Sequence, residues 1–217
     1  MAAPQRRSLN SAVTRLWSFA APVYDFSLLQ HWVYRPAHDE VITQLRAHRA
    51  GRIADVGCGT GILADRIERE LHPEEIYGVD LSEGMLAVAR ARSTRVQWVR
   101  SPAERLPFAD GALDAIVTTS AFHFFHQEAA LREFSRVLAP GGLLAVAALT
   151  ARRPLLPGTL GWKPAHHAPA AEVRALFESA GFVVREQHRV RRPAWTRIIP
   201  DVITVGTKPS IDDRDDR

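Results

Sequence analysis

Short apolar runs alternate with amphipathic segments through the middle of the chain. In the stretch ILADRIEREL, apolar residues recur every three or four positions, which is typical of one face of a helix. Helices are predicted over 61–71, 82–92 and 128–138, with Ser82 as an N-cap and the sequence APGG ending the third helix. Strands are predicted over 52–57, 76–80, 95–99, 114–119 and 143–149. Strands that alternate with helices indicate an α/β fold, in which a parallel sheet has helices on both faces.

The two ends of the chain depart from this alternation. A helical pattern over 170–181 is followed by two strand-like runs, 182–190 and 201–207. Because the connection between these runs is too short for a crossover helix, we predict that they pair antiparallel. At the N-terminal end, two helical patterns over 11–21 and 35–48 flank an aromatic-rich connection.

The sequence contains no repeat or low-complexity tract, so we predict one domain over residues 1–217. Its expected parts are an N-terminal helical cap (1–48), a central core (49–150), a C-terminal helix and β-hairpin (151–209) and a disordered tail (210–217).

Composition limits the environment of the protein more than its function. No apolar run is long enough to span a membrane, and the N-terminus lacks the apolar region of a secretory signal. Cys58 is the only cysteine, so no internal disulfide can form and a cytoplasmic location is expected. The net charge is +4, and residues 152–197 hold nine Lys or Arg against three Glu. This excess fits either a solvated basic surface or an acidic partner such as nucleic acid or anionic lipid.

A glycine-rich loop follows the first strand of the central core. Gly57, Gly59 and Gly61 stand in the sequence DVGCGTG, at the strand end where parallel sheets bind ligands. No lysine follows these glycines, which excludes a nucleoside-triphosphate P-loop. Ile62 stands where the dinucleotide pattern GxGxxG requires its third glycine, so a nicotinamide-dependent dehydrogenase is disfavoured.

The glycine loop resembles motif I of the class I S-adenosylmethionine-dependent methyltransferases. The segments YGVDLSEGML, SPAERLPFADGALDAIVTTSAFHFF and REFSRVLAPGGLLAV resemble the later motifs of that family, and they occur in the family's order. The ubiquinone/menaquinone C-methyltransferases and small-molecule methyltransferases are the most similar subfamily. The N-terminal FAAPVYD is similar to a segment of these enzymes and of bacterial phospholipid N-methyltransferases.

This resemblance implies a fold and a cofactor. The expected fold is a Rossmann-like, seven-stranded, mostly parallel sheet with an antiparallel last strand and an N-terminal helical lid. Residues 49–150 would form the cofactor-binding core. The cofactor would be S-adenosylmethionine, which leaves as S-adenosylhomocysteine.

The resemblance also assigns roles to residues around the loop. Asp80 would accept hydrogen bonds from the ribose hydroxyls, and Asp55 would support the methionine end of the cofactor. Leu81 and Met85 would lie against the adenine, and Glu104 would contact its amino group unless it is a solvated loop charge. The predicted cofactor-binding residues are Tyr24, Asp55, Gly57, Cys58, Gly59, Gly61, Asp80, Leu81, Met85, Pro102, Ala103, Glu104, Thr119 and Ser120.

An aromatic set in the N-terminal segment is a candidate lid over this site. Aromatic faces attract cations, which suits a sulfonium. Tyr24 is the functional candidate, whereas Trp17 and Phe19 are expected to pack or to line the acceptor pocket.

Methyl transfer from a sulfonium needs alignment more than a nucleophile. Cys58 is therefore expected to be a small loop residue, and a base is needed only if the acceptor must lose a proton. His123 and His126, after the fourth strand, are the candidate bases. His123 fits equally well as a pocket wall between two phenylalanines. No cysteine cluster or HExxH motif accompanies the histidines, so no metal is expected.

The acceptor is the least determined part of the prediction. An aromatic entrance of Phe122, Phe124, Phe125 and Trp162 favours a small, largely apolar metabolite. A membrane lipid, a quinone or RNA is the alternative, with RNA disfavoured because SAFH replaces [DN]PPY after the fourth strand. A cofactor-binding protein without turnover is a third hypothesis. We expect a monomer or homodimer. Transient contact of the protein with a membrane surface is left open as an alternative.

Overall fold

The structure is a computed structural model that describes residues 33–150, 167–193, 196 and 199–210. These residues form five α-helices and seven strands. In chain order they are α1 (Arg35–His48), β1 (Arg52–Val56), α2 (Ile62–Leu71), β2 (Glu75–Asp80), α3 (Glu83–Arg92), β3 (Gln97–Arg100), β4 (Leu113–Thr119), α4 (Gln127–Val137), β5 (Leu138–Leu149), α5 (Ala170–Ser179), β6 (Val183–Arg189) and β7 (Asp201–Thr207). A 3₁₀ turn, Phe122–Phe124, lies between β4 and α4.

All seven strands form one sheet in the order β3-β2-β1-β4-β5-β7-β6. The strands β1 to β5 pair in parallel, and β7 is antiparallel to both β5 and β6. The predicted fold class and the predicted antiparallel pairing of the two C-terminal runs are therefore confirmed. The strand order reverses between β1 and β4, because the chain moves outward from β1 to β3 and then returns to the other side of β1. Ligands bind at such switch points, beyond the carboxyl ends of the strands.

The side chains of the central strands alternate between two apolar cores. In β5, Leu144 and Val146 belong to the core that also contains Phe134 of α4 and Phe177 of α5. Their neighbours Leu143 and Ala145 face the other core, which is built with α1 and α2. This period of two explains why β5 reads as a continuous apolar run: both faces of the strand are covered by helices.

The boundary between α4 and β5 differs from the prediction. We expected APGG to separate a helix from a strand that begins at Leu143, but extended backbone already begins at Leu138, opposite Leu113 of β4. The register shifts between Leu113 and Ala115, so the glycines lie within an irregular part of the strand. Gly141 has a φ of +79°, which a glycine adopts without strain.

The described part of the N-terminal cap is α1. Val41, Ile42 and Leu45 are buried on its inner face, as the helical pattern predicted. The candidate lid with Trp17, Phe19 and Tyr24 lies outside the described residues, as do Trp162, His166 and residues 211–217. Within the described ranges, no helix is both long enough and apolar enough to cross a membrane.

Candidate active site

A cleft of about 910 Å³, counting the part open to solvent, lies at the carboxyl ends of β1, β2 and β4. The lining residues are Val56, Gly57, Gly59, Asp80, Leu81, Ser82, Met85, Ser101, Pro102, Ala103, Glu104, Thr119, Ser120, Ala121, Phe124 and Phe125. Ten of the fourteen predicted cofactor-binding residues are in this set. Asp55 and Cys58 adjoin lining residues in the chain, Gly61 follows the lining residue Gly59 by two positions, and Tyr24 lies outside the described residues.

The glycine loop turns back over the end of β2. The backbone amides of Gly57 and Cys58 both donate to the carbonyl oxygen of Val79, at 2.7 and 3.1 Å. Gly57 has a φ of +75°, and a Cβ on it would lie 2.5 Å from the Cβ of Ala121. Gly59 has a φ of +55°, and a Cβ on it would meet nothing within 4 Å. The loop therefore packs tightly at Gly57 and presents bare backbone to open space at Gly59, where a ligand can approach closely.

Trp98 of β3 supports the glycine loop from behind, a contact that the sequence analysis did not predict. A Cβ on Gly61 would lie 2.3 Å from the indole ring, and so would a Cβ on Gly78 of β2. The indole N–H donates to the carbonyl oxygen of Ser93 at 2.9 Å, which fixes the ring. A glycine inside a strand often marks close packing, so Gly78 was the available sequence signal.

Asp80 is anchored by the backbone around it. Its Oδ2 accepts from the amide of Gly59 at 2.9 Å, and its Oδ1 accepts from the amide of Ser82 at 2.8 Å. An ionised carboxylate can accept about four hydrogen bonds, so each oxygen keeps capacity for one hydroxyl. Burial raises the pKa of Asp80, although the backbone hydrogen bonds oppose the shift. The side chain thus joins the glycine loop to the start of α3 and lines the cleft.

Asp55 is the most deeply buried acid of the loop region, with 1% of its surface exposed. Its Oδ2 has no hydrogen-bond partner. Burial, reinforced by the neighbouring negative charge of Asp80, raises the pKa of Asp55 to about 8, against a smaller lowering by the amide of Ala64. Asp55 therefore holds a proton at neutral pH while no cation lies near it.

The Cys58 thiol is unsuited to nucleophilic chemistry. Burial, with Asp55 and Asp80 nearby, raises its pKa well above the ordinary value. Thiolates are the reactive form, so this side chain stays inert at neutral pH.

The loops after β3 and β4 close the rest of the cleft. Glu104 lines it, and its Oε1 accepts from the backbone amide of His126 at 2.7 Å, which joins the two loops. Ser120 has a φ of +54°, and its amide donates to the carbonyl oxygen of Ala147. A non-glycine residue held in this conformation costs about 1–3 kcal/mol and is most frequent at functional sites.

The two candidate bases do not line the cleft. His123 is 6% exposed, its ring stacks on His167 at a centroid distance of 4.7 Å, and its Nδ1 has no partner. Burial, with a further contribution from His167, lowers the pKa of His123 to about 3. His126 is the exposed N-cap residue of α4. No cluster of three or more potential metal ligands occurs among the described residues.

Comparison with known proteins identifies the family of this arrangement. Residues 54–146 match the methyltransferase domain family. A demethylmenaquinone methyltransferase of Thermus thermophilus is 43% identical over 100 residues, which are 44% of this chain and 46% of the relative. A solved structure from Thermotoga maritima, titled as an S-adenosylmethionine-dependent methyltransferase and possible histamine N-methyltransferase, has a TM-score of 0.70. It is 26% identical, and the match covers 89% of this chain and 99% of that one. These likenesses confirm the resemblance to the class I S-adenosylmethionine-dependent methyltransferases that the sequence motifs indicate.

The same likenesses confirm the predicted cofactor, S-adenosylmethionine, and the site fits it. Asp80 offers free acceptor capacity for hydroxyls, Gly59 presents bare backbone, and two acids suit a ligand with positive charge. Met85, which was predicted to lie against the adenine, and Ala103, a further predicted cofactor-binding residue, are both buried and line the cleft.

The chain spans about half the length of curated relatives that it matches. A [4+2]-cyclase structure shares the fold with a TM-score of 0.64 and 24% identity, over 79% of this chain and 81% of that one. This likeness concerns the fold alone.

Proposed function

We propose that the protein transfers the methyl group of S-adenosylmethionine to a small, largely apolar acceptor. The observation that carries this proposal is the wall of the cleft beyond β4, where Ala121, Phe124 and Phe125 continue the lining past Thr119 and Ser120. The two acids that line the cleft, Asp80 and Glu104, lie at the end of β2 and in the loop after β3. An apolar acceptor is therefore expected on the β4 side, next to the cofactor site.

The named relatives favour a quinone within this class of acceptors. The Thermus thermophilus relative is named for demethylmenaquinone, and a relative in Geobacter sulfurreducens for ubiquinone/menaquinone biosynthesis. A quinol ring offers a flat apolar body that aromatic walls accommodate. A membrane lipid is the alternative acceptor, and RNA is disfavoured by the absence of [DN]PPY after β4.

The contribution of the protein would be mainly positional. The bound cofactor supplies a methyl carbon already activated by its positive sulfur. Holding the two reactants in line can lower the barrier by about 7–11 kcal/mol. His123 is buried against Phe124, at a ring-centroid distance of 4.1 Å, and its lowered pKa makes it a weak base. These observations support a packing role for His123 behind the pocket wall rather than a role as general base.

A cofactor-binding protein without methyl transfer is the competing function. The shared fold of the [4+2]-cyclase shows why the fold cannot decide the matter: function depends on the site that is built on it.

The test is a transfer assay with methyl-labelled S-adenosylmethionine and three acceptor pools. These are reduced short-chain quinones, phosphatidylethanolamine vesicles and total RNA. We expect label in the quinone pool, with loss of the signal in Asp80→Ala. Label only in vesicles or RNA would overturn the acceptor class. Binding of S-adenosylhomocysteine with no label in any pool or in a metabolite extract would support the binding-protein alternative.

A further inference from the structure

Asp55, which is fully buried, and Asp80, which is half-buried and lines the cleft, form an acidic pair beside the cofactor site. They lie at the carboxyl ends of the adjacent parallel strands β1 and β2, where Asp55 lies opposite Gly78 in the register. Both oxygens of Asp80 accept backbone amides, whereas Oδ2 of Asp55 has neither solvent nor a partner.

No cation of the described residues compensates this pair. The groups that act on Asp55 are Asp80 and the amide of Ala64, and those that act on Asp80 are the amides of Gly59, Leu81 and Ser82. The remaining titratable neighbour, Cys58, is a neutral thiol. A fully buried carboxylate beside a second, half-buried one ionises only at a high free-energy cost when no cation is near, so Asp55 keeps its proton.

The cofactor and its product differ in positive charge, which is what this pair of acids would attract. Both carry an ammonium and a carboxylate, but S-adenosylmethionine has in addition a fixed positive sulfur. Methyl transfer leaves a neutral thioether. A cation in the adjoining cleft favours the ionised form of a buried acid, and a neutral ligand does so much less.

We propose that Asp55 couples proton release to the charge of the cofactor, and so lets the site distinguish S-adenosylmethionine from S-adenosylhomocysteine. Binding of the sulfonium releases the Asp55 proton to solvent. After the methyl group has left, Asp55 takes a proton back and the product is held less tightly. This proposal rests on the cofactor assignment and is independent of the acceptor.

The sign of the pH dependence follows from linkage. A ligand whose binding releases a proton binds more tightly as pH rises, by up to about tenfold per pH unit for one full proton. Because the pKa of Asp55 lies at about 8, the affinity for S-adenosylmethionine should rise up to that pH and then level off. The ratio of affinities for S-adenosylmethionine over S-adenosylhomocysteine should therefore rise between pH 6 and pH 8.

The test is titration calorimetry with the two ligands at pH 6.5, in two buffers of different ionisation enthalpy. At this pH the ligand amino groups are protonated, so they add little to the proton count. We expect wild-type protein to release a measurable fraction of a proton with S-adenosylmethionine and clearly less with S-adenosylhomocysteine. In Asp55→Asn the difference should disappear, and in Asp55→Glu it should persist.

Glu68→Gln is the matched control. Glu68 is a buried acid of α2 that is already paired with Arg95 at 2.6 Å, so its loss should leave the proton counts unchanged. Equal proton release with both ligands in wild-type protein would overturn the proposal without any variant. Absence of binding by either ligand would instead overturn the cofactor assignment, and the proposal with it.

Discussion

At the scale of single residues, the chemistry of the site depends on acids that are anchored by backbone. Asp80 is the clearest case, because two amides hold its carboxylate while it keeps acceptor capacity toward the cleft. Its hydrogen bonds to the ligand would be charge-assisted, each contributing about 1.5–3 kcal/mol.

The first prediction concerns this carboxylate. Asp80→Ala should weaken binding of S-adenosylhomocysteine by about tenfold or more, since one such hydrogen bond corresponds to that factor. Calorimetry measures the change, and circular dichroism checks that the variant is folded. Glu83→Gln is the control, because Glu83 is exposed and pairs with Arg90 away from the cleft lining. An unchanged dissociation constant in Asp80→Ala would remove Asp80 from the ribose site.

The second prediction concerns the protonation of His123. Because burial lowers its pKa to about 3, the imidazole should stay neutral and show no titration between pH 5 and pH 8. Histidine Cε1–H resonances, assigned with His123→Phe, measure this without any acceptor. Once the acceptor is known, His123→Phe should keep most of the turnover rate. Two results together would restore His123 as a general base. Its resonance would titrate with a midpoint near pH 6.5, and the turnover rate would fall at acid pH in the wild type but not in the variant.

At the scale of elements, the loop owes its shape to a strand that does not touch the cleft. Trp98 of β3 packs against Gly61 at the start of α2 and against Gly78 of β2. The ring therefore occupies the space that any side chain at those glycines would need.

The third prediction is a double-mutant cycle on this contact. Gly78→Ala should destabilise the protein by about 1–3 kcal/mol, the usual cost of overpacking. The φ of Gly78 is not in the left-handed region, so the cost should come mainly from the indole, with a smaller contribution from the Cys58 Sγ, which would lie 3.3 Å from the added Cβ. In the Trp98→Ala background the same substitution should cost much less. Denaturant unfolding of the four proteins gives the coupling energy. Equal costs in the two backgrounds would show that Trp98 is not the reason for the glycine.

At the scale of the whole molecule, buried titratable groups set the pH range of stability. His38 of α1 is 6% exposed, and burial, together with the charge of Arg66, lowers its pKa to about 3. The unfolded chain binds this proton below about pH 6.5, whereas the folded protein does not. Stability should therefore fall as pH drops below 6.5.

The fourth prediction follows from that sign. His38→Leu should reduce the acid-dependent loss of stability by about 1.4 kcal/mol per pH unit between pH 6 and pH 4. Urea unfolding at several pH values measures the slope in both proteins. His48→Leu is the control, since His48 is half-buried at the end of the same helix. If the free energy of unfolding falls with the same slope against pH in wild type and His38→Leu, His38 does not stay neutral in the folded protein.

The sequence by itself determined the order of elements and predicted most of the residues that line the cleft. Strand and helix patterns are local, since they depend on side-chain spacing along a few turns or pleats. The motifs predicted residues of the cleft because the conformation of a glycine and the position of a residue at the end of a strand also depend on the nearby sequence. For this reason ten predicted residues line one cleft although they are spread from Gly57 to Ser120.

The tertiary structure alone decided the environment of each group. Nothing local distinguishes a histidine at the cleft mouth from one buried against His167, and only packing lowers the pKa of His123. The packing of Trp98 on Gly61 and Gly78 likewise depends on the pairing of β3 with β2. The missing partner of Asp55 is also a property of the assembled sheet, because burial and charge depend on neighbours that are distant in the chain.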